Sequence, residues 1–146
     1  MPRPMRSAMP SPCVYHVTAR GVERRAVFLD DIDRVIFVVL LRAATRRWGW
    51  RMIVYCLLTN HFHFVLFADV SDLSTGMQWL MGRYAQLFNE RYDRTGHLFQ
   101  GRFHARAVED DEYLAHVCDY VLDNPIRAGL CQDRADWPWL GGAVAA

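Results

Sequence analysis

An α+β fold, an antiparallel sheet with helices packed mainly on one face, is what the sequence predicts, and two observations predict it. Short stretches rich in β-branched and aromatic residues, at 14–19, 51–58, 61–67 and 97–108, are interleaved with longer stretches whose apolar residues recur at helical spacing. Only Thr59 and Asn60 separate the second extended stretch from the third, and so short a link joins antiparallel neighbours.

Residues 1–12 contain four prolines and two arginines, a composition that suits a flexible basic arm rather than a regular element. Val14 to Ala19 alternates and closes at Arg20-Gly21, a first strand and turn. Asp30 or Asp31 caps a helix to about Trp48, with Ile32, Val35, Ile36, Val39, Leu40 and Ala43 on its apolar stripe, and Gly49 stops it. Met52 to Leu57 is nearly continuous apolar sequence, as a central strand requires, and His61 to Phe67 returns beside it. A second helix runs to about Tyr92 on Leu73, Met77, Leu80, Met81, Tyr84, Leu87 and Phe88. After Gly96 an extended segment to Val108 sets Arg102, His104 and Arg106 on one face. Glu109 to Glu112 favours the positive end of a third helix, which Pro125 should end near Asn124. The tail with Trp137 and Trp139 is expected to pack back on the sheet. Strand, helix, strand, strand, helix, strand, helix is the split βαβ order of a ferredoxin-like plan, and residues 13–146 suit one domain.

The net charge of +1 conceals an uneven distribution. All 17 basic residues are arginine, with ten against four carboxylates in residues 1–51 and two against eight in residues 107–146. Arginine's planar fork matches phosphate oxygens, so a basic front and middle suit a nucleic-acid surface, as they also suit an ordinary solvated one. The longest apolar run, Val35 to Leu41, is far short of a membrane span, and no signal-peptide pattern opens the chain; a cytoplasmic location is expected. Cys13, Cys56, Cys118 and Cys131 form no C-x-x-C pair and read as free thiols.

Asn60-His61-Phe62-His63 is the stretch with chemistry in it. On a strand, His61 and His63 project to one face, roughly 6 to 7 Å apart, while Phe62 and Phe64 face the core. Two such imidazoles serve either as a divalent-metal site or as structural histidines. Among the tyrosines of the second half, Tyr84 has Phe88 one helical turn on, Tyr92 has Gly96 and Tyr113 has Val117. Only Tyr120 has an oxygen-bearing partner there, Asn124, offered on the same helix face. Tyr120 is thus either a nucleophile or an amphipathic core residue. If it converges with the histidines, the set suits metal-assisted attack of a phenol on a phosphodiester, with Asn124 as a third ligand. An ordinary phenol, with a pKa of about 10, must then lose its proton to a base that the residues do not name.

Tyr15 to Gly21, Asn60-His61-Phe62-His63, Phe88 to Arg91, Gly96 to Phe103, and Asp119-Tyr120 leading into Asn124 to Leu130 together resemble the REP-associated tyrosine transposases, a group of the single-tyrosine HUH superfamily (histidine, hydrophobic residue, histidine). The resemblance runs from Tyr15 to about Trp139. It implies that His61, His63 and Asn124 hold Mg²⁺ or Mn²⁺, zinc also suiting two imidazoles, and that Tyr120 cleaves and rejoins single-stranded DNA through a 5′-phosphotyrosine at REP-like hairpins. It implies a monomer, a homodimer with tyrosine supplied in trans being the alternative. Thr59 stands where the family has proline, a change in turn stiffness, and Leu140-Gly141 where it commonly has Ser-Ser, so no tail contact to DNA is assigned. Arg20, Arg102 and Arg106 flank the site and are the expected DNA contacts. Val65 takes the third place that a histidine-triad hydrolase would need, and no second H-x-T motif is present. The alternative of another class is a domesticated hairpin-DNA-binding regulator without turnover.

Overall fold

The structure, a computed structural model, describes residues 9–143. Residues 1–8 of the expected basic arm lie outside the described residues. The elements in order are β1 (Cys13–Arg20), α1 (Asp31–Trp48), β2 (Arg51–Leu57), β3 (His61–Ala68), α2 (Val70–Tyr92), β4 (His104–Val108), α3 (Asp111–Arg127) and β5 (Leu140–Gly141), with short 3-10 turns at Val22–Arg24 and Arg134–Asp136. They form one antiparallel sheet in the order β4-β1-β3-β2-β5, so β3 is the central strand. The antiparallel α+β plan expected from the sequence is the one observed.

Period-two alternation along β1 and β3 divides the molecule. Tyr15, Val17 and Ala19 with Phe62, Phe64, Leu66 and Ala68 face one way, into a core completed by Phe37, Leu41 and Ala44 of α1 and Leu73, Met77, Leu80, Tyr84 and Phe88 of α2. The opposite face of β2 and β3 offers Val54, Cys56 and Val65, and α3 covers it with Val117, Cys118, Val121 and Leu122. Two helices therefore share one face and the third takes the other. β3 is apolar on both sides because both are covered, except where His61 and His63 interrupt the second side.

Several local expectations are corrected. The buried residues of α1 are Asp33, Arg34, Phe37, Leu41 and Ala44, whereas Ile32, Val35 and Val39 are more than half exposed. The helix is rotated because Asp33 accepts hydrogen bonds from Arg91 Nη1 at 2.6 Å, Tyr92 Oη at 2.7 Å and the Leu29 amide at 2.8 Å, and Arg34 donates to the Leu58 carbonyl at 3.0 Å. Those bonds offset much of the cost of burying two charged groups, although Arg34 Nε is buried without a hydrogen-bond partner among the described residues. The last long strand begins only at His104, so Arg102 precedes it and does not alternate with His104 and Arg106 on a strand. α3 runs three residues past Asn124, through Pro125 to Arg127, so Asn124 lies in its last turn, within the expected bounds, and its carbonyl still accepts from the Ala128 amide. β5 had no signal in the sequence. It pairs with β2, assisted by Trp137, whose indole N–H donates to the Leu57 carbonyl at 3.0 Å, so the tail does return to the sheet.

The β2–β3 turn is held without proline. The Thr59 carbonyl accepts from both Val27 and Phe28, and the Asn60 carbonyl from Gly21, which ties the turn to the end of β1.

Gly76 on α2 lies against the buried Trp50, where an added Cβ would come within 2.3 Å of the indole. Glycine to alanine in a helix ordinarily adds about 1 kcal/mol of stability. Here the overlap with a rigid ring dominates, and Gly76→Ala should destabilise the protein by about 1–3 kcal/mol, read as a lower urea midpoint at unchanged m-value.

Candidate active site

His61 and His63 project from β3 onto the α3 face, with ring centroids 5.1 Å apart. His63 is buried, and its two nitrogens are both engaged: Nε2 lies 2.7 Å from Asn124 Nδ2, and Nδ1 lies 3.0 Å from His16 Nε2. Asn124 and Tyr120 are one helical turn apart on α3, and the Tyr120 ring stands edge-on to His63 and His16 with centroids at 5.9 and 6.4 Å. Val117, Val121 and Leu122 on the apolar part of the same face hold α3 against the sheet, with Tyr120 about half exposed at the rim and Asn124 buried beneath it. The four residues singled out in the sequence therefore meet within one chain.

The tautomer of His61 follows from its neighbour. Asn60 Nδ2 donates to the Arg24 carbonyl at 3.2 Å, which turns Asn60 Oδ1 toward His61 Nδ1 at 2.7 Å. A carbonyl oxygen only accepts, so Nδ1 carries the proton and Nε2 the lone pair. Arg24 reaches this place through a turn in which Glu23 and Arg24 take φ of 53° and 59°, left-handed backbone that non-glycine residues seldom adopt.

Burial is the main reason that all three imidazoles are neutral. It holds His63 down to about 3, with the neighbouring His16, His61 and Arg127 adding to the effect, and His16 down to about 4, with Arg106 adding to it. The His61 pKa is lowered by burial and by Arg20, its partner in the β1–β3 register. Neutral imidazoles are the form that binds metal. Among the described residues no three His, Cys, Asp or Glu side chains converge on a point. The group that could hold an ion is therefore mixed, two imidazoles and the Asn124 amide, a donor set suited to a divalent metal that keeps positions for oxygen ligands.

Two adjoining cavities of about 590 Å³ each open on either side of Tyr120. One is lined by His16, Arg106, Tyr113, His116 and Val117, the other by Arg20, His61 and Gln100, and both touch Thr18, His63, His104 and Tyr120. Arg20 and Arg106 are thus at the site, one in each cavity. Arg102 lines neither. Arg106 is also engaged with the Tyr113 hydroxyl at 3.4 Å. Several residues at the site had not been singled out, His16, His116 and Arg127 among them. His16 and His116 line a cavity, and Arg127 lays its guanidinium 4.1 Å from the centre of the Tyr120 ring while donating to the Tyr120 carbonyl. For His16 the signal was its parity with Thr18 and Arg20 on β1, and for Arg127 the seven-residue spacing from Tyr120 on one helix.

Residues 10–124 match the sequence model of the IS200-like transposases. The chain belongs to that family. A Haemophilus influenzae protein assigned as a REP-associated tyrosine transposase is 26% identical to this transposase over 138 residues, covering 86% of this chain and 77% of the relative. The structure of a REP-associated tyrosine transposase bound to a REP hairpin superposes with a TM-score of 0.74 at 18% identity, covering 88% of this chain and 76% of the other. A Deinococcus radiodurans protein assigned as a transposase superposes with a TM-score of 0.53 at 16% identity, covering 83% and 95%. In this transposase no helix among the described residues is long and apolar enough to cross a membrane.

The buried histidines set a pH dependence of stability. The unfolded chain protonates its histidines near 6.5, whereas the folded chain holds His16 near 4 and His63 near 3. Between these values the unfolded state binds more protons, so stability falls as pH drops from about 6.5 to about 4. Asp30, held near 2 by Arg91, adds its own loss only below its ordinary value of 3.8. In chelator-treated protein, His16→Gln should flatten the upper part of the profile, removing roughly 2 kcal/mol of the pH 7 to pH 4 difference, as measured by denaturant titration at each pH.

Proposed function

We propose that this transposase cleaves and rejoins single-stranded DNA at REP-like hairpins, with Tyr120 as the nucleophile and His61, His63 and Asn124 as ligands of Mg²⁺ or Mn²⁺. The observation that carries the reading is the meeting of Tyr120 with His63 and Asn124 in one chain. It supports a self-sufficient monomeric site, with no second copy required to supply the phenol.

The phenolic oxygen of Tyr120 would form a bond to phosphorus as the bond to the 3′ oxygen breaks. The phenol gives up its proton, the departing 3′ oxygen gains one, and the 5′-phosphate stays on the protein. The phosphotyrosine ester keeps the bond energy, so a 3′-hydroxyl can reverse the step and rejoin strands. A divalent ion would supply charge neutralisation at the phosphoryl oxygen. His61 and His63 are neutral and backed by neighbouring side chains, which readies them as ligands. Arg127 holds the Tyr120 ring and its carbonyl, limiting where the phenol can point. Arg20 and Arg106 flank the phenol on both sides, where a phosphate backbone would run, and Arg102 would meet it beyond the cavities. The hairpin-bound relative gives the proposed partner its form.

Incubation with REP-like hairpin oligonucleotides and Mg²⁺ or Mn²⁺ should give a DNA adduct that survives denaturing electrophoresis. Tyr120→Phe should abolish the adduct while leaving hairpin affinity within a few-fold, and His61→Ala should remove adduct and metal response together. Adduct formation by Tyr120→Phe would sink this assignment, and binding with no adduct in the parent protein would identify a noncatalytic regulator. Arg20→Ala and Arg106→Ala should each weaken hairpin binding and lower the slope of log K against log salt by about 1.

A further inference from the structure

We propose that His16 is a positioning residue: it accepts the Nδ1 proton of His63, so that the Nε2 lone pair of His63 faces the point shared with Asn124. This rests on the proposed metal role of His63.

The inference comes from hydrogen-bond directions. His63 Nε2 faces the Asn124 amide nitrogen at 2.7 Å. An amide nitrogen has only hydrogens to offer, so Nε2 accepts and the ring proton is on Nδ1. That proton points at His16 Nε2, 3.0 Å away. The two rings are tilted by only 13°, which aligns the in-plane N–H of one with the in-plane lone pair of the other. The β-sheet register enforces the pairing: Thr18 stands opposite His63, and His16 is the next β1 residue on the same face, diagonal to it.

His61 provides an internal comparison. Its Nδ1 proton is taken by Asn60 Oδ1, an oxygen, so both imidazoles of the H-x-H pair have a proton acceptor at Nδ1 and a lone pair at Nε2. The acceptor for His61 comes from its own turn, and that for His63 comes from the neighbouring strand. His63 is only 6% exposed, so a Nδ1–H without His16 would be buried without a partner. The opposite tautomer would then be favoured, with Nε2–H donating to a turned Asn124 Oδ1. That tautomer closes both candidate ligands on each other. Gln at position 16 retains an oxygen near the place of the imidazole Nε2, whereas Leu retains only the bulk.

The test uses the full chain, without DNA and with Mn²⁺ as the probe. In the metal-free parent protein, ¹⁵N shifts of His63 should report protonated Nδ1 and unprotonated Nε2. His16→Leu should move His63 to the Nε2–H tautomer and weaken Mn²⁺ binding about 10- to 100-fold, and His16→Gln should restore both. An Nε2–H tautomer in the metal-free parent protein overturns the inference with no variant required. So does a His16→Leu protein that loses Mn²⁺ affinity while His63 keeps its tautomer, or one that changes neither. These readouts do not involve Tyr120, so a failure of the proposed nucleophile would leave them standing.

Discussion

The contact between His63 and Asn124 is the constraint on which the functional half of the molecule depends. Both groups are buried at the junction of sheet and helix, where an unpartnered imidazole or amide would cost more than their pairing contributes. The apolar contacts of Val117, Val121 and Leu122 bring α3 to the sheet, but such contacts tolerate small rotations of a helix. A 2.7 Å polar contact does not. With Asn124 fixed, Tyr120 must emerge one turn earlier on the same side, over His16 and His63, and Arg127 must fall where it can cover the Tyr120 ring.

Charge at the site follows pairing rather than the sums of sequence blocks. The acidic end of the chain, residues 107–146, includes α3, the helix that carries Tyr120, and its charge count alone runs against binding an anionic strand. Asp119 and Asp123 are held by Arg134 at 3.3 and 2.6 Å, and Asp110 caps α3 through the Tyr113 amide. These three carboxylates are thus turned to structural use, and the arginines that reach the two cavities and the phenol come from β1, β4 and the end of α3. A basic rim around a neutral, dehydrated floor results from three elements far apart in sequence.

What the sequence made legible was periodic or local. The period of two in His61-Phe62-His63 is enough to put both imidazoles on one face, and the four-residue interval from Tyr120 to Asn124 is enough to put both side chains on one side of a helix. What was not legible depended on distant partners. Asp33 and Arg34 displace the hydropathic stripe of α1 because Arg91, Tyr92 and Leu58 wait for them, and no local pattern encodes that. β5 is a two-residue strand with no alternation to detect, and Arg102 lost its place on a face because the strand begins two residues after it. Pro125 moved the end of α3 by only three residues: a helix already held by buried contacts on Val121, Leu122 and Asn124 runs on to Arg127 with one hydrogen bond fewer, which leaves Asn124 in its last turn.

The division between rim and floor has a chemical consequence. The proposed metal ligand His63 is neutral and buried, as a ligand is best kept, whereas the proposed nucleophile Tyr120 is half exposed, as reach by a large anionic substrate requires. The two cavities meet at Thr18, His63, His104 and Tyr120, so a strand laid through both would cross the phenol at their junction and could not pass it by. Placing the proposed nucleophile and Asn124 on one helix and the two candidate imidazole ligands on the central strand lets one packing decision, the rotation of α3, bring both conditions into contact. For that reason the apolar residues of α3 belong to the account of function as much as the polar ones they carry.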